Sequence, residues 1–467
     1  MIDPRLRTAP GNHSTPASAT YREVRTLIQR GLKRRGLIVG AAVAVAALAL
    51  TGCTSSGGNS GGKVKISYLV DNAPATQATA KKFVAAFEKA NPNITVTIEQ
   101  KPQGADGDNV VKTKLATGDM DDVFQYNSGS QIQGDHPDAR LVDLSKESWA
   151  KDVTSDFKAS VSGTTKGAFY GAPFGTTFSG GIMYNTAVYK KLGLTVPTSW
   201  DQFIANSQKI KAAGITPVLQ TFGDTWTSQL FVLADFANIN ANDKSWAADY
   251  TANKPDAKYA TQPGLLGFQH TEEVFKDGLV NKDYASLTNV NGLKDLAEGK
   301  AAQYPMITTV LPNVQQSNPD KINDIGYFAL PTADGTAPHM TVWEPNGLYI
   351  PKSTTGDKLA AAKKLVAFAS STAGCNIQAQ AQLPTGPFAT SACKLPSDVP
   401  TLVKDEQKYQ DDGNTGLALE FLSPIKGPNL EQILISVATG QDSAAKGAAL
   451  YDQDVTKQAQ QLGIKGW

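Results

Sequence analysis

At 467 residues, with 41% hydrophobic and 19% charged residues, the chain calls for two folded lobes, and its ordinary globular composition excludes a disordered or fibrous protein. The formal charge of +1 conceals an asymmetry: residues 1–52 hold eight of the 44 Lys and Arg, leaving 36 basic against 41 acidic residues beyond them. That mildly acidic remainder contains a single arginine, Arg140, and no zinc-finger or arginine-rich pattern, which argues against nucleic acid as a partner.

Lys33, Arg34 and Arg35 precede an unbroken run of small apolar residues from Gly36 to Leu50. Fifteen residues fall short of the roughly 20 that a permanent membrane helix needs, so residues 1–52 read as a signal peptide. The run ends in Leu50-Thr51-Gly52-Cys53, which resembles a bacterial lipobox and implies lipidation at Cys53. Residues 53–62, rich in Ser and Gly, are expected to behave as a flexible tether. The expected location is the outer face of the cytoplasmic membrane, reached by Sec or twin-arginine export.

Val64, Ile66, Tyr68 and Val70 alternate as a first strand that runs into the turn Asp71-Asn72-Ala73-Pro74. Ala80, Phe83, Val84 and Phe87 then fall at helical spacing over Ala75–Ala90, and Asn91-Pro92-Asn93 ends that helix before Ile94, Val96 and Ile98 alternate again. Strand, helix and strand in this order predict a parallel α/β arrangement. Val110–Ala116 reads as helix and Asp122–Asn127 as a short strand entering a polar loop. Further helices are expected over Trp200–Ala213, Gly264–Lys276, Lys358–Ser370, Val399–Tyr409, Leu430–Thr439 and Ser443–Gln461. Trp200 lies on a helical stripe and is assigned to packing. Two cysteines remain beyond Cys53, Cys375 and Cys393, and an exported chain permits a disulfide between them, worth about 3 kcal/mol for a loop of that size. His13, His136, His270 and His339 are far apart, and no Cys-x-x-Cys occurs, so neither a metal nor another cofactor is expected.

Several segments, taken in order, resemble the family 1 extracellular solute-binding proteins, the carbohydrate-binding lipoproteins of ABC importers. They are Phe87–Ile94, Leu115–Asp119 before Asp122-Val123-Phe124, Gly171–Phe174 leading into Met183-Tyr184-Asn185, Leu192–Leu194 before Pro197–Asp201, Leu296–Ala302 and Asn346–Pro351. The resemblance implies a two-lobed periplasmic-binding-protein-like α/β fold of type II, with strands crossing between lobes more than once. It implies a first lobe over 63–175 plus 332–395, and a helix-rich second lobe over 176–331 plus 396–467. Crossings are expected near Pro173–Ser179, Gly326–Pro331 and Cys393–Pro400. The implied function is capture of a sugar or oligosaccharide in the cleft by a monomer that hands it to ABC importer permease subunits.

A sugar needs flat aromatic surfaces for its C–H faces and fixed amide or carboxylate groups for its hydroxyls, carried on loops at strand ends. Asp71 and Asn72 follow the first strand, and Tyr126 and Asn127 follow a strand whose loop contacts ligand in the family, with an amide where relatives often carry an acid. Thr176, Thr177, Phe178 and Ser179 occupy the first crossing. Trp226 and Trp343 stand beside turn residues and are expected as stacking platforms, with Asp224 from the second lobe and Glu344 and Asn346 from the first. The glycine-and-tryptophan stretch that relatives carry near Met306–Thr309 is absent.

The main alternative is a secreted, lipid-anchored glycosidase or other hydrolase. Gly-x-Ser-x-Gly occurs only as Gly58–Gly62 in the Ser- and Gly-rich stretch, not between a strand and a helix, and Ser-x-x-Lys matches such as those at Ser155 and Ser443 lack their companion motifs. A glycosidase needs only two placed carboxylates, which the sequence leaves open. A Walker loop is missing, so energy for transport must come from partner proteins. A structural or adhesive surface lipoprotein is the third reading.

Overall fold

A computed structural model describes residues 63–467; the expected signal peptide, the expected lipidation site Cys53 and the expected tether 53–62 lie outside the described residues. Alternation in the first strand, β1 (Val64–Asp71), buries Ile66, Tyr68 and Val70. The following helix, Pro74–Ala90, buries Ala80, Phe83, Val84 and Phe87 on one face, the stripe read from the sequence. Asn91 ends it, its backbone N–H reaching the Phe87 and Glu88 carbonyls. β2 (Ile94–Lys101) and β3 (Val123–Tyr126) both pair parallel to β1, as a strand–helix–strand unit requires. The first sheet is completed by β4 (Gly171–Phe174) and by β10 (Asn346–Tyr349), which runs antiparallel between β3 and β4.

A second sheet is built around β5 (Phe178–Asn185). β7 (Ala301–Ile307), β8 (Ile325–Phe328) and β9 (Met340–Trp343) pair antiparallel to it. β6 (Thr216–Val218) extends this sheet beside β7, and β11 (Thr415–Leu417) extends it beside β9. The first sheet packs against helices Pro74–Ala90 and Gly356–Ala369 around a core that includes Phe83, Phe87 and Phe174, with Phe83 edge-on to Phe174 at 5.0 Å. The second lobe holds separate cores, one around Met183, Met306 and Tyr327 and another around Trp246, Phe268 and Tyr451. Trp200 packs as expected, stacked on His270 at 3.6 Å between ring centroids, and burial pushes the His270 imidazole down to about 3, so it is neutral.

The chain passes between sheets at two adjacent places. β4 leads through 175–177 into β5, and β9 leads through Glu344 and Pro345 into β10. Ladder pairs stand on both sides of this junction, Phe174 opposite Asn346 in the first sheet and Phe178 opposite Trp343 in the second. Three residues therefore oppose two, a mismatch of the kind found in a β-bulge, and Gly175 takes it up at φ +105°. A third passage follows helix Thr372–Ala381, which packs on Pro74–Ala90, and ends at helix Thr401–Asp411, which packs on β8.

The return to the first lobe expected near Gly326–Pro331 is not where the chain changes sheet. β9 pairs with β5 and β11, and the Thr341 hydroxyl is tied to 234–237, donating to the Ala234 carbonyl (2.7 Å) and accepting from the Ala237 amide (2.9 Å). A four-residue strand whose partners lie about 75 and 160 residues away leaves little local pattern.

Candidate ligand-binding cleft

A cavity of about 290 Å³ opens at the junction of the two sheets. Its floor is the paired connection just described, with Phe174, Gly175, Thr176 and Phe178 from one strand and Glu344, Pro345 and Asn346 from the other. Thr76, Thr79 and Gln125 line it from the first lobe, and Thr309 from the second. A further wall comes from the third passage, through Gln378, Gln382, Thr385 and Phe388 among others. Aromatic rings alternate with hydroxyl, amide and carboxyl groups, and no Lys, Arg or His is among the described residues lining it.

Of the residues singled out in the sequence, Thr176, Phe178, Glu344 and Asn346 meet at this cavity. Phe178 is half-buried and stacks face to face on Trp343, with centroids 5.6 Å apart and planes within 9°. Trp343 is only 7% exposed and does not line the cavity. It backs Phe178, which presents the ring.

Glu344 is buried, and its Oε2 has no hydrogen-bond partner. Burial, with the charge of Asp156 adding to it, pushes its carboxyl up to about 8, so the group is neutral at pH 7. Behind the cleft, Glu344 also lines a small, partly open space of about 30 Å³ together with Asp156, Thr177 and Glu406. Glu406 is buried with both oxygens unpartnered, and desolvation raises it well above the usual carboxylate range. The hydroxyls of Ser179, Thr308 and Thr177 lie near Glu406, outside hydrogen-bonding geometry. A space of that size holds about one water molecule.

Residues 72–374, more than half of the chain, match the sequence profile of bacterial extracellular solute-binding proteins. The chain belongs to that family. It is 27% identical over 276 residues to the multiple sugar-binding protein of Streptococcus mutans, a match that covers 58% of this chain and 62% of that one. It is 26% identical over 166 residues to the melibiose/raffinose/stachyose-binding protein MelE of Bacillus subtilis, covering 35% and 37% of the two chains. The chain thus spans less than two thirds of the length of these relatives. Apo RafE from Streptococcus pneumoniae superimposes with a TM-score of 0.70 at 20% identity, covering 86% of this chain and all of that one. The fold is the two-lobed periplasmic-binding-protein-like fold.

The other expected contacts of this solute-binding protein do not line the cavity. Asp71 is taken up by the turn before helix Pro74–Ala90, accepting from the Ala73 amide (2.8 Å) and the Thr76 hydroxyl (3.3 Å). Asn72 is exposed and accepts from the Gln103 side chain at 3.3 Å. Tyr126 is buried with its hydroxyl unpartnered, and burial raises its pKa. Asn127 points its amide to Gln131, while its carbonyl accepts from the Tyr349 hydroxyl (3.2 Å). Thr177 and Ser179 are buried. Thr177 donates its amide (2.8 Å) and hydroxyl (3.0 Å) to the Pro387 carbonyl, and the Ser179 amide donates to Thr308 (3.0 Å). Asp224 accepts from the Asn289 amide at 2.6 Å, and Trp226 is half-buried on the second-lobe core.

Gln125, Gln378, Gln382, Thr385 and Phe388 escaped the sequence reading. The signal for the last two was available. Pro384-Thr385-Gly386-Pro387-Phe388 is an aromatic in turn-rich sequence, the context that drew attention to Trp226, and it lies between Cys375 and Cys393, which the structure joins.

Proposed function

We propose that this solute-binding protein captures a sugar or oligosaccharide in the cleft and passes it to the permease subunits of an ABC importer. The observation that carries this reading is the junction cavity itself. One aromatic face, Phe178, is backed by Trp343, next to a buried neutral carboxyl and several amides, with no cation among the described lining residues. Such a lining suits a neutral polyhydroxylated ligand: ring C–H groups stack on the aromatic face, and hydroxyls pair with groups that otherwise stay unpartnered. An anionic ligand would leave its charge without a counter-ion. Names borne by relatives, among them a multiple sugar-binding protein and a melibiose/raffinose/stachyose-binding protein, support the same class.

Contacts to both lobes favour the closed form, and bending at 175–177 and 344–345 would bring the lobes together. The protein acts as a monomer held at the outer face of the membrane by a lipid on Cys53, with 53–62 as its leash. The hydrolase alternative is weakened because Glu344 is the one carboxylate among the described residues lining the cleft, whereas glycosidic hydrolysis uses two.

The test is thermal unfolding against a panel of mono- and oligosaccharides, amino acids and polyols. A ligand at about 100 times its Kd adds roughly 2.7 kcal/mol of stability, and a sugar that raises the midpoint and is recovered unchanged supports the reading. A panel without any shift, or consumption of the sugar, refutes it.

A further inference from the structure

The segment closed by Cys375 and Cys393 has two faces. One looks into the cleft through Gln382, Thr385 and Phe388. The other is joined to the strand that crosses between lobes. The Gly175 amide donates to Gln378 Oε1 (2.7 Å), the Thr385 amide donates to the Thr176 hydroxyl (3.2 Å), and the Pro387 carbonyl takes both bonds from Thr177. The approach at Gly386 is close enough that an added Cβ would lie 2.5 Å from the Thr177 carbonyl oxygen. Phe388 connects the faces, packing with Cys375 and Cys393 in one small apolar cluster while lining the cavity. Beyond it, Thr154 donates to the Ala389 carbonyl (3.0 Å) and Ser391 to the Asp152 carbonyl (2.7 Å), which anchors the far end on the first lobe.

A loop of this length without a cross-link samples many conformations, and a binding wall works only when its groups are held in place. The hydrogen bonds to 175–177 transmit any shift of the wall to the residues that bend. We infer that the Cys375–Cys393 bond is a recognition element as well as a stabilising one: it positions Gln382, Thr385 and Phe388 as a wall of the cleft and sets the conformation of the crossing strand 175–177. Its loss therefore weakens and broadens ligand binding separately from any loss of stability. The affinity half rests on the cleft being the ligand site; the hinge half does not.

The experiment compares the full chain with its Cys375→Ser/Cys393→Ser double variant, with Gln382→Ala, and with Leu365→Ala as a control, because Leu365 is buried in the first-lobe core and does not line the cavity. The probes are the mono- and oligosaccharides of the unfolding panel, melibiose, raffinose and stachyose among them. Hydrogen exchange should speed up about tenfold at the Gly175 and Thr177 amides of the double variant, with β1 amides unchanged. Kd for the best probe should rise about fivefold or more in the double variant and in Gln382→Ala, roughly the worth of one hydrogen bond. Leu365→Ala should lower the melting temperature with Kd unchanged. Unaltered exchange at Gly175 and Thr177 overturns the inference. So does a Kd within twofold of the parent in both variants. If no probe binds the parent chain, the cleft reading fails and takes the affinity half with it, while exchange still decides the hinge half. Should the double variant not fold, Gln382→Ala, at an exposed position, carries the affinity half alone.

Discussion

Glu344→Gln should flatten the alkaline side of the stability profile. In the native protein the Glu344 carboxyl is raised from 4.5 to about 8, chiefly by burial. Between those values the native state holds a proton that the unfolded chain has lost, so stability falls as pH rises. The stability is fully present below about pH 4.5 and has been lost by about pH 8. The slope for one such group is about 1.4 kcal/mol per pH unit, and the total is at most about 5 kcal/mol, since relaxation and water entry reduce it. Glutamine has nearly the same shape and never ionises. The stability difference between Glu344→Gln and the parent should therefore grow by about 1 kcal/mol per unit from pH 5 to 8, in favour of the variant. Urea unfolding at constant ionic strength, followed by fluorescence and circular dichroism together, measures this and tests two-state behaviour in the same data. A difference constant to within about 0.5 kcal/mol across that range refutes the assignment of a neutral, buried Glu344. Asp156→Asn should move the Glu344 step to lower pH, because the Asp156 charge is the second cause of the shift.

Trp343→Ala should weaken sugar binding about tenfold although Trp343 does not line the cavity, because Phe178 loses the ring it stacks on, and it should cost about 3 kcal/mol in stability; calorimetry and melting check the two effects. Asp71→Ala should cost about 1 kcal/mol through the lost turn bonds to Ala73 and Thr76, with Kd nearly unchanged in titration. Gly386→Ala should destabilise by about 1–3 kcal/mol and reduce affinity together, because the new methyl group meets the Thr177 carbonyl and Glu406 Oε1, each 2.5 Å away.

The helices and the parallel opening of the fold were legible because their signals are local. Phe83, Val84 and Phe87 repeat at helical spacing, and the turns at Asn72–Pro74 and Asn91–Asn93 punctuate them. β9 was not legible, because four residues, Met340–Trp343, take their identity from β5 and β11, far away in the chain. The same distance explains Trp343. The turn sequence Glu344-Pro345-Asn346 made it read as a platform, while the register that places it opposite Phe178 is invisible to sequence spacing. Asp71 shows the converse: an acid at a strand end followed by Pro74 fits both a ligand contact and a turn, and only the Ala73 and Thr76 bonds separate them. Glu406 had no local mark at all. It lies among charged neighbours on helix Thr401–Asp411, and its buried carboxyl faces Thr177, Ser179 and Thr308.

The residues that line the floor of the cleft are the residues that connect the lobes. In many binding sites the contacts sit on rigid elements and the hinge lies elsewhere. Here Phe178 and Asn346 flank the three-against-two mismatch, Glu344 lies within it, and Gly175 takes it up. On the proposed reading, a ligand in this cavity would touch the connection between the lobes directly, and its differential affinity for open and closed forms need not travel through the lobes. The buried acids add a cost to distorting this region. Burial raises both above the usual carboxylate range, so a movement of the junction that admitted more water would lower their pKa values and release protons. Ligand binding that seals the junction should accordingly take up protons near pH 8. Calorimetric titration in two buffers of different ionisation enthalpy measures that uptake. Buffer-independent binding enthalpies at that pH would separate the acids from the hinge.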